Sequence, residues 1–168
     1  MSEEKPISLF NEYKKNKVTP EERIPVHIAD GEKQKAALDL VSWLRANKLS
    51  PGCYGINRWK ASNKGTGICF LLLENDSMRV RLDLTYMKEY EESIMAEGMQ
   101  KFVFDKISYC HHCAGCKPGI DITLLGRGLK RICRTMILYI QDPDEASVVY
   151  IKKLLELEKK ARIEKSQK

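Results

Sequence analysis

GICFLLLENDSMRVRLDL, residues 67–84, decides how this chain folds. In its second half Met78, Val80, Leu82 and Leu84 alternate with Arg79, Arg81 and Asp83. Successive side chains of a β-strand point to opposite faces, so this pattern predicts a strand with one face on a core and one in water. The first half is an apolar run, and Asn75, Asp76 and Ser77 between the halves are turn formers. Upstream, GINRWKAS (55–62) is a third strand-like run, joined through the turn-forming NKGTG (63–67). Three strands with short connections predict an antiparallel meander.

Helical patterns flank this meander. ISLFNEYKKNK (7–17) carries Ile7, Leu9, Phe10 and Tyr13 at amphipathic spacing, and TPEER (19–23) offers Thr19 as an N-cap with Pro20 following, enough for about one turn. Asp30 is placed to cap a longer helix whose core stripe is Ala36, Ala37, Leu40, Val41 and Leu44, with Trp43 on its flank and NKLSPG (47–52) ending it. Residues 86–107 read as helix interrupted near Gly98. IDITLLG (120–126) and LKRICRTMILYI (129–140) flank Arg127-Gly128 and predict a second hairpin. The last helix, from DPDEASVVYIKKLLELE onward, has Asp142 as expected cap, Pro143 at its first position and Glu145 completing a capping box. Val148, Ile151, Leu154 and Leu155 form its core stripe. The expected fold is α+β: a three-stranded meander plus a hairpin, covered by helices. It forms one domain over 1–168, with a helical arm at 1–29 and a fraying tail at 160–168.

YCHHCAGCKPG (109–119) crowds soft ligand atoms into one loop. Thiolates bind Zn²⁺ in a tetrahedron of four donors, and a Cys-x-x-Cys turn aims two sulfurs at one point. Cys110, Cys113 and Cys116 supply three donors. If the second hairpin turns at 126–128, Cys133 returns opposite Asp121, give or take two residues, and becomes the fourth. His111 and His112 are reserve ligands, read first as exposed loop residues. A closed Cys₄ zinc site would contribute folding free energy on the order of 10 kcal/mol. An iron–sulfur cluster is the alternative, because ferredoxin-type runs share the spacing; they continue into a nearby Cys-Pro, where this chain has Lys117-Pro118. Free thiols, redox-active or inert, are the third reading. Cys69 lies in an apolar strand and is expected to pack as a small hydrophobe; Cys53 lies in a loop and has no assigned role.

No other catalytic constellation is visible. NKGTG lacks the Gly-Lys-Ser/Thr ending of a phosphate loop and leads into a strand. His27 stands apart from any serine–acid pair, and no geometry brings EYEE (89–92) together with Asp83. A basic set is more informative: Arg58, Trp59, Lys60, Lys64, Arg79 and Arg81. Arg58 with Lys60, and Arg79 with Arg81, each share a strand face. If the faces coincide they make a cationic patch beside a tryptophan, suited to an anionic small molecule or single-stranded nucleic acid. The plainer reading is a wet sheet face with Trp59 in the core.

Net charge is +6, too mild to imply nucleic-acid binding by itself. The chain shows no apolar run near the ~20 residues of a membrane span, and MSEEKPISLF lacks the basic-then-apolar order of a secretory signal. The expected location is the cytoplasm, with no membrane association. Cysteines there stay reduced, bind metal or do redox work.

RWKASNKGTGICFLLL, EYEE, CHHCAGCKPG and DPDEASVVYIKKLLELE together resemble a group of small bacterial proteins of uncharacterised function. Their shared plan is a tryptophan–lysine strand, a Lys-Gly turn, a triple-cysteine loop and a last helix opened by Asn/Asp-Pro-Asp. The arrangement is also similar, without a specific motif, to the YdhG-like α+β domains. These resemblances imply the fold and a cysteine site and bring no enzymatic activity. The sequence thus predicts a zinc-stapled binding or interaction module rather than an enzyme, with a thiol or iron–sulfur redox protein as the alternative.

Overall fold

Thr19 begins the first well-anchored helix. Its hydroxyl accepts from the Glu22 N–H while the Glu22 carboxylate accepts from the Thr19 N–H, a reciprocal capping box with Pro20 at the first helical position. In a computed structural model, which describes residues 9–111, 113 and 116–167, this box opens α2 (Pro20–His27), preceded by α1 (Leu9–Lys15) and followed by α3 (Gly31–Ala46). The box extends α2 beyond the single turn expected. Ile24 and Ile28 are fully buried, so the second half of the expected N-terminal arm is part of the core. Asp30 caps α3 as expected, accepting from the N–H groups of Glu32 and Lys33.

The meander forms as read. β2 (Arg58–Asn63), β3 (Thr66–Glu74) and β4 (Ser77–Asp83) pair antiparallel. Lys64 and Gly65, both at positive φ, make the tight turn between β2 and β3. A short strand that the sequence hid in a loop, β1 (Gly52–Gly55), adds one edge. Beyond β4, a 3-10 turn (Met87–Tyr90), α4 (Glu91–Ala96) and α5 (Gln100–Lys106) follow, with Gly98 at positive φ in the break. β5 (Ile120–Leu124) and β6 (Arg127–Ile132) form a separate two-stranded hairpin. Its turn falls at Leu125–Gly126, both at positive φ, rather than at 126–128. Leu125 accepts that backbone while burying its side chain to 8% exposure, which is why an apolar residue sits where polar turn formers are usual.

The second run of that hairpin is not one strand. A turn at Cys133–Met136, closed by the Met136 N–H on the Cys133 carbonyl at 2.8 Å, diverts the chain. The remainder becomes β7 (Ile137–Gln141), which pairs antiparallel with β4 and completes a five-stranded sheet ordered β1-β2-β3-β4-β7. The final helix, α6 (Glu145–Ser166), is capped by Asp144 accepting from Ser147 N–H, not by Asp142. Asp142 instead holds the sheet together: it accepts from Ser77 Oγ and Met78 N–H, both at 2.9 Å, and pairs with Lys33 at 3.2 Å. The helix continues through the residues expected to fray, burying Ala161 to 6% exposure.

One face of the sheet is the core face. Trp59, Leu71, Val80 and Ile140 form one row across it, and Ala61, Cys69, Leu82 and Leu138 the next, all 0–1% exposed. The stripes of α3 and α6 supply the opposing layer, each buried leucine or isoleucine contributing about 1.5–3 kcal/mol. Within this layer lies a fully buried carboxylate. Glu158 of α6 accepts from Thr85 and Tyr86 N–H, from the Tyr90 hydroxyl and from Arg162 Nε. It thereby ties the last helix to the turn after β4.

Candidate metal centre and open sheet face

The cysteine loop is anchored at both ends by backbone. Residues 107–110 run between the two sheets: Ile107 bridges Leu138 and Tyr109 bridges Ile132. The Ser108 N–H donates to Ile137 O at 2.7 Å and the Cys110 N–H to Arg131 O at 2.6 Å. Cys110 is thus fixed beside the strand end that leads to Cys133. At the other end Ile120 pairs with Ile132, and Arg131 N–H donates to Asp121 Oδ1. This register returns Cys133 within two residues of its expected partner. Gly119 makes the close packing possible, since a Cβ there would lie 2.6 Å from Cys110 Cβ and 2.9 Å from Ile132 O.

Between these anchors the Cys116 N–H donates to the Cys113 carbonyl at 3.0 Å, a tight turn that sets the two residues side by side. Cys113 and Cys116 are exposed, Cys110 and Cys133 half-buried, and all are free thiols. Exposed as it is, the Cys116 thiol is pushed up from its ordinary value, first by the partial loss of water around its sulfur and then by Cys113, Cys133 and Cys110 in that order. All three partners therefore lie within electrostatic reach of this one sulfur. Among the described residues no group of three or more His, Cys, Asp or Glu side chains is placed to hold a metal ion, the four cysteines included. His111 is exposed, and His112 lies outside the described residues.

Cys69 is fully buried, and burial followed by the nearby Asp83 charge pushes its thiol up to about 12, so it packs as a hydrophobe as expected. Cys53 sits on the edge strand, its Sγ donating to Gly55 O at 3.4 Å.

The expected basic set divides. Trp59 lies on the core face, 0% exposed, its indole N–H donating to Val18 O at 2.9 Å. It is therefore removed from the patch, because its strand alternation sets it opposite Arg58 and Lys60. The arginines and lysine do share the outer face. Lys60, Phe70, Arg81 and Tyr139 face one another across β2, β3, β4 and β7, and Arg58, Leu72, Arg79 and Gln141 form the adjacent row. Arg81 holds Asp83 through two hydrogen bonds at 2.7 and 2.9 Å and lies over the Phe70 ring, 4.9 Å from its centroid. Arg79 pairs with Glu74 at 3.3 Å. Among the described residues Arg58, Lys60 and Lys48 have no carboxylate partner. Lys64 contacts Ser166 near the end of α6, away from the rows.

Phe70, Tyr139 and Tyr54 on this face were not singled out from the sequence. Phe70 sits in an unbroken apolar run whose wet side carries no polar marker, and only its register against Arg81 reveals it. The two features meet: the positive charge of Arg81 is favoured first by Asp83, and Tyr139 and Cys133 add to this. Cys133 opens the turn that leads into β7, whose first residue, Ile137, pairs with Asp83. Comparison with protein-family models, with curated proteins and with solved structures gives no match. Among the described residues no helix is long and apolar enough to cross a membrane.

Proposed function

We propose that the protein is a binding module clamped by one zinc ion on Cys110, Cys113, Cys116 and Cys133, which offers the outer face of its five-stranded sheet to an anionic ligand. What supports this reading is backbone geometry: the Cys110 N–H on Arg131 O holds the first cysteine beside the strand that leads to Cys133, and the Cys116 N–H on Cys113 O links the other two. Grouped thiols resist deprotonation because each thiolate repels the next; a divalent cation reverses that balance and takes them as thiolates. Closure of the loop onto the anchored Cys110 and Cys133 ends would be needed to bring four sulfurs into one coordination shell, a donor set that suits zinc or iron. The two reserve histidines are not needed.

Elemental analysis of purified native protein is expected to find close to one zinc per chain, with Cys113→Ser releasing it. A colourless, metal-free, folded protein with titratable thiols would sink the clamp. A brown protein that bleaches on reduction would replace zinc with an iron–sulfur cluster.

A second reading has its own support, the exposed Cys113–Cys116 turn. Those two thiols could pass two electrons and two protons to an acceptor disulfide, forming their own disulfide. Metal-free protein that stays reduced against an excess of a small-molecule disulfide would remove it.

A further inference from the structure

We propose that the ligand of the open face is single-stranded nucleic acid, its phosphates on the arginine and lysine positions and its bases on the planar side chains of the central row. This rests on the anionic-ligand reading above and names its chemical class.

A surface that took only small anions would need a pocket of converging cations. This face is instead an extended one, five antiparallel strands about 19 Å across at ordinary strand spacing. Its cations come in two ranks: Lys60 and Arg81 in one row, Arg58 and Arg79 in the next. Along a strand the rows are separated by two residues, about 6.8 Å. Such a spacing lets a flexible polyanion meet successive charges.

The same rows carry flat groups. Tyr139 is 40% exposed and faces Arg81, and Tyr54 is 42% exposed with its ring edge-on to Phe70 at 6.0 Å between centroids. A Cβ on Gly67 would lie 2.6 Å from the tip of the Phe70 ring and 3.0 Å from Lys60 Cδ. The absent side chain thus lets the ring and the lysine stem lie down on the sheet. Base stacking on aromatic rings and guanidinium planes needs this flat display, and it needs bases not already stacked in a duplex. Among the described residues no helix stands on this face to enter a groove, which disfavours duplex recognition.

The charge continues past both edges. Around β1 a cleft of about 700 Å³ is lined by Arg45, Lys48, Tyr54 and Lys60. The cysteine loop and hairpin, tied to β7 through the Ile107–Leu138 bridge, carry Lys117, Arg127, Lys130, Arg131 and Arg134 against the single carboxylate Asp121, with Arg127 lying over the Phe104 ring of α5. A strand crossing the face from Lys48 would meet Lys60 and Arg58, which have no carboxylate partner among the described residues, and then Arg81 and Arg79, whose charges are shared with Asp83 and Glu74.

Fluorescence anisotropy of the full chain with labelled 15-nucleotide oligo(dT) and oligo(U), a matched duplex and inorganic polyphosphate tests this. Single strands are expected to bind more tightly than duplex, with affinity falling steeply as salt rises. Tyr54→Ala and Tyr139→Ala are each expected to weaken binding about 5- to 150-fold with little change in salt slope. Lys60→Glu and Arg58→Glu are expected to flatten the slope. Circular dichroism and melting of each variant establish that it folds. If polyphosphate binds as tightly as the oligonucleotides and the tyrosine variants bind unchanged, the nucleic-acid inference falls while the anionic-ligand reading survives. If no polyanion binds at low salt, both fall, and zinc content measured on the same preparation judges the clamp separately.

Discussion

Tyr90 donates its hydroxyl to Glu158 Oε2 at 2.8 Å, inside the core between α6 and the turn that follows β4. Arg162 Nε completes the carboxylate's environment at 2.7 Å and its Nη2 reaches Asp83 O at 3.2 Å. A buried pair is costly to break because the surviving charge is left without compensation. Glu158→Ala is therefore expected to lower unfolding free energy by about 3–5 kcal/mol in urea titration. Replacing Glu158 and Arg162 together by leucine and methionine should cost less than the single change. A single-variant loss below about 1 kcal/mol would show that the network is not stabilising.

The same network gives an alkaline prediction. Burial first, then the Glu158 charge and its hydrogen bond, raise Tyr90 well above its ordinary 10.0. A folded-state value above the unfolded one stabilises the protein fully below about pH 10, and the contribution is lost as pH rises through the folded value. Ultraviolet difference titration should show a tyrosine that fails to ionise until the protein unfolds. Tyr90→Phe should abolish that late step.

At the acid end Asp142 matters. Burial raises its carboxyl, but Met78 N–H, Ser77 Oγ and Lys33 outweigh burial and hold it below its ordinary 3.8. A depressed value stabilises the fold above the unfolded pKa and is lost as pH falls through the folded one. Asp142→Asn is expected to destabilise by about 1–3 kcal/mol at neutral pH. The difference from the parent should begin to shrink below about pH 3.8 and be smallest once pH has fallen past the lower folded value, where both carry neutral groups. A gap independent of pH would mean that shape, not charge, is what Asp142 supplies.

Thiol chemistry separates the cysteines. After chelation, Cys113 and Cys116 are expected to react first with a chromogenic disulfide, and Cys69, at about 12 and fully buried, only on unfolding. Added zinc should protect Cys110, Cys113, Cys116 and Cys133 as a group and leave Cys53 reactive. Because the main sheet and its helices pack without the loop, chelation should lower the melting temperature while far-ultraviolet dichroism persists.

Much of the architecture is written in local pattern. The alternation over 78–84 and the polar turns beside it specify β2, β3 and β4, and Asp30 and Thr19 specify helix starts, because strand period and capping act within a few residues. The fate of 129–140 is not local. Its apolar character suits either sheet, and the turn at Cys133–Met136 sends β7 to the free edge of β4 through tertiary pairing. Asp142 shows the same limit: its short-range pattern fits a cap, yet Asp144 fills that role while Asp142 bonds a strand 64 residues away. At the candidate site the cysteine spacing is legible, since ligand geometry constrains sequence directly. The aromatic members of the open face are not, because cross-strand neighbours are set by register.

Gly119 carries one more implication. Its bare Cα lets the chain pass flush against Cys110 and the Arg131–Ile132 backbone, while the Cys110 N–H bonds Arg131 O on the strand that leads to Cys133. If the proposed clamp forms, part of the entropy of closing the long excursion from 110 to 133 is already met by hairpin formation. Glycine 119 would then set how fast metal is captured more than how tightly it is kept, and a bulkier residue would show itself first as slow loading.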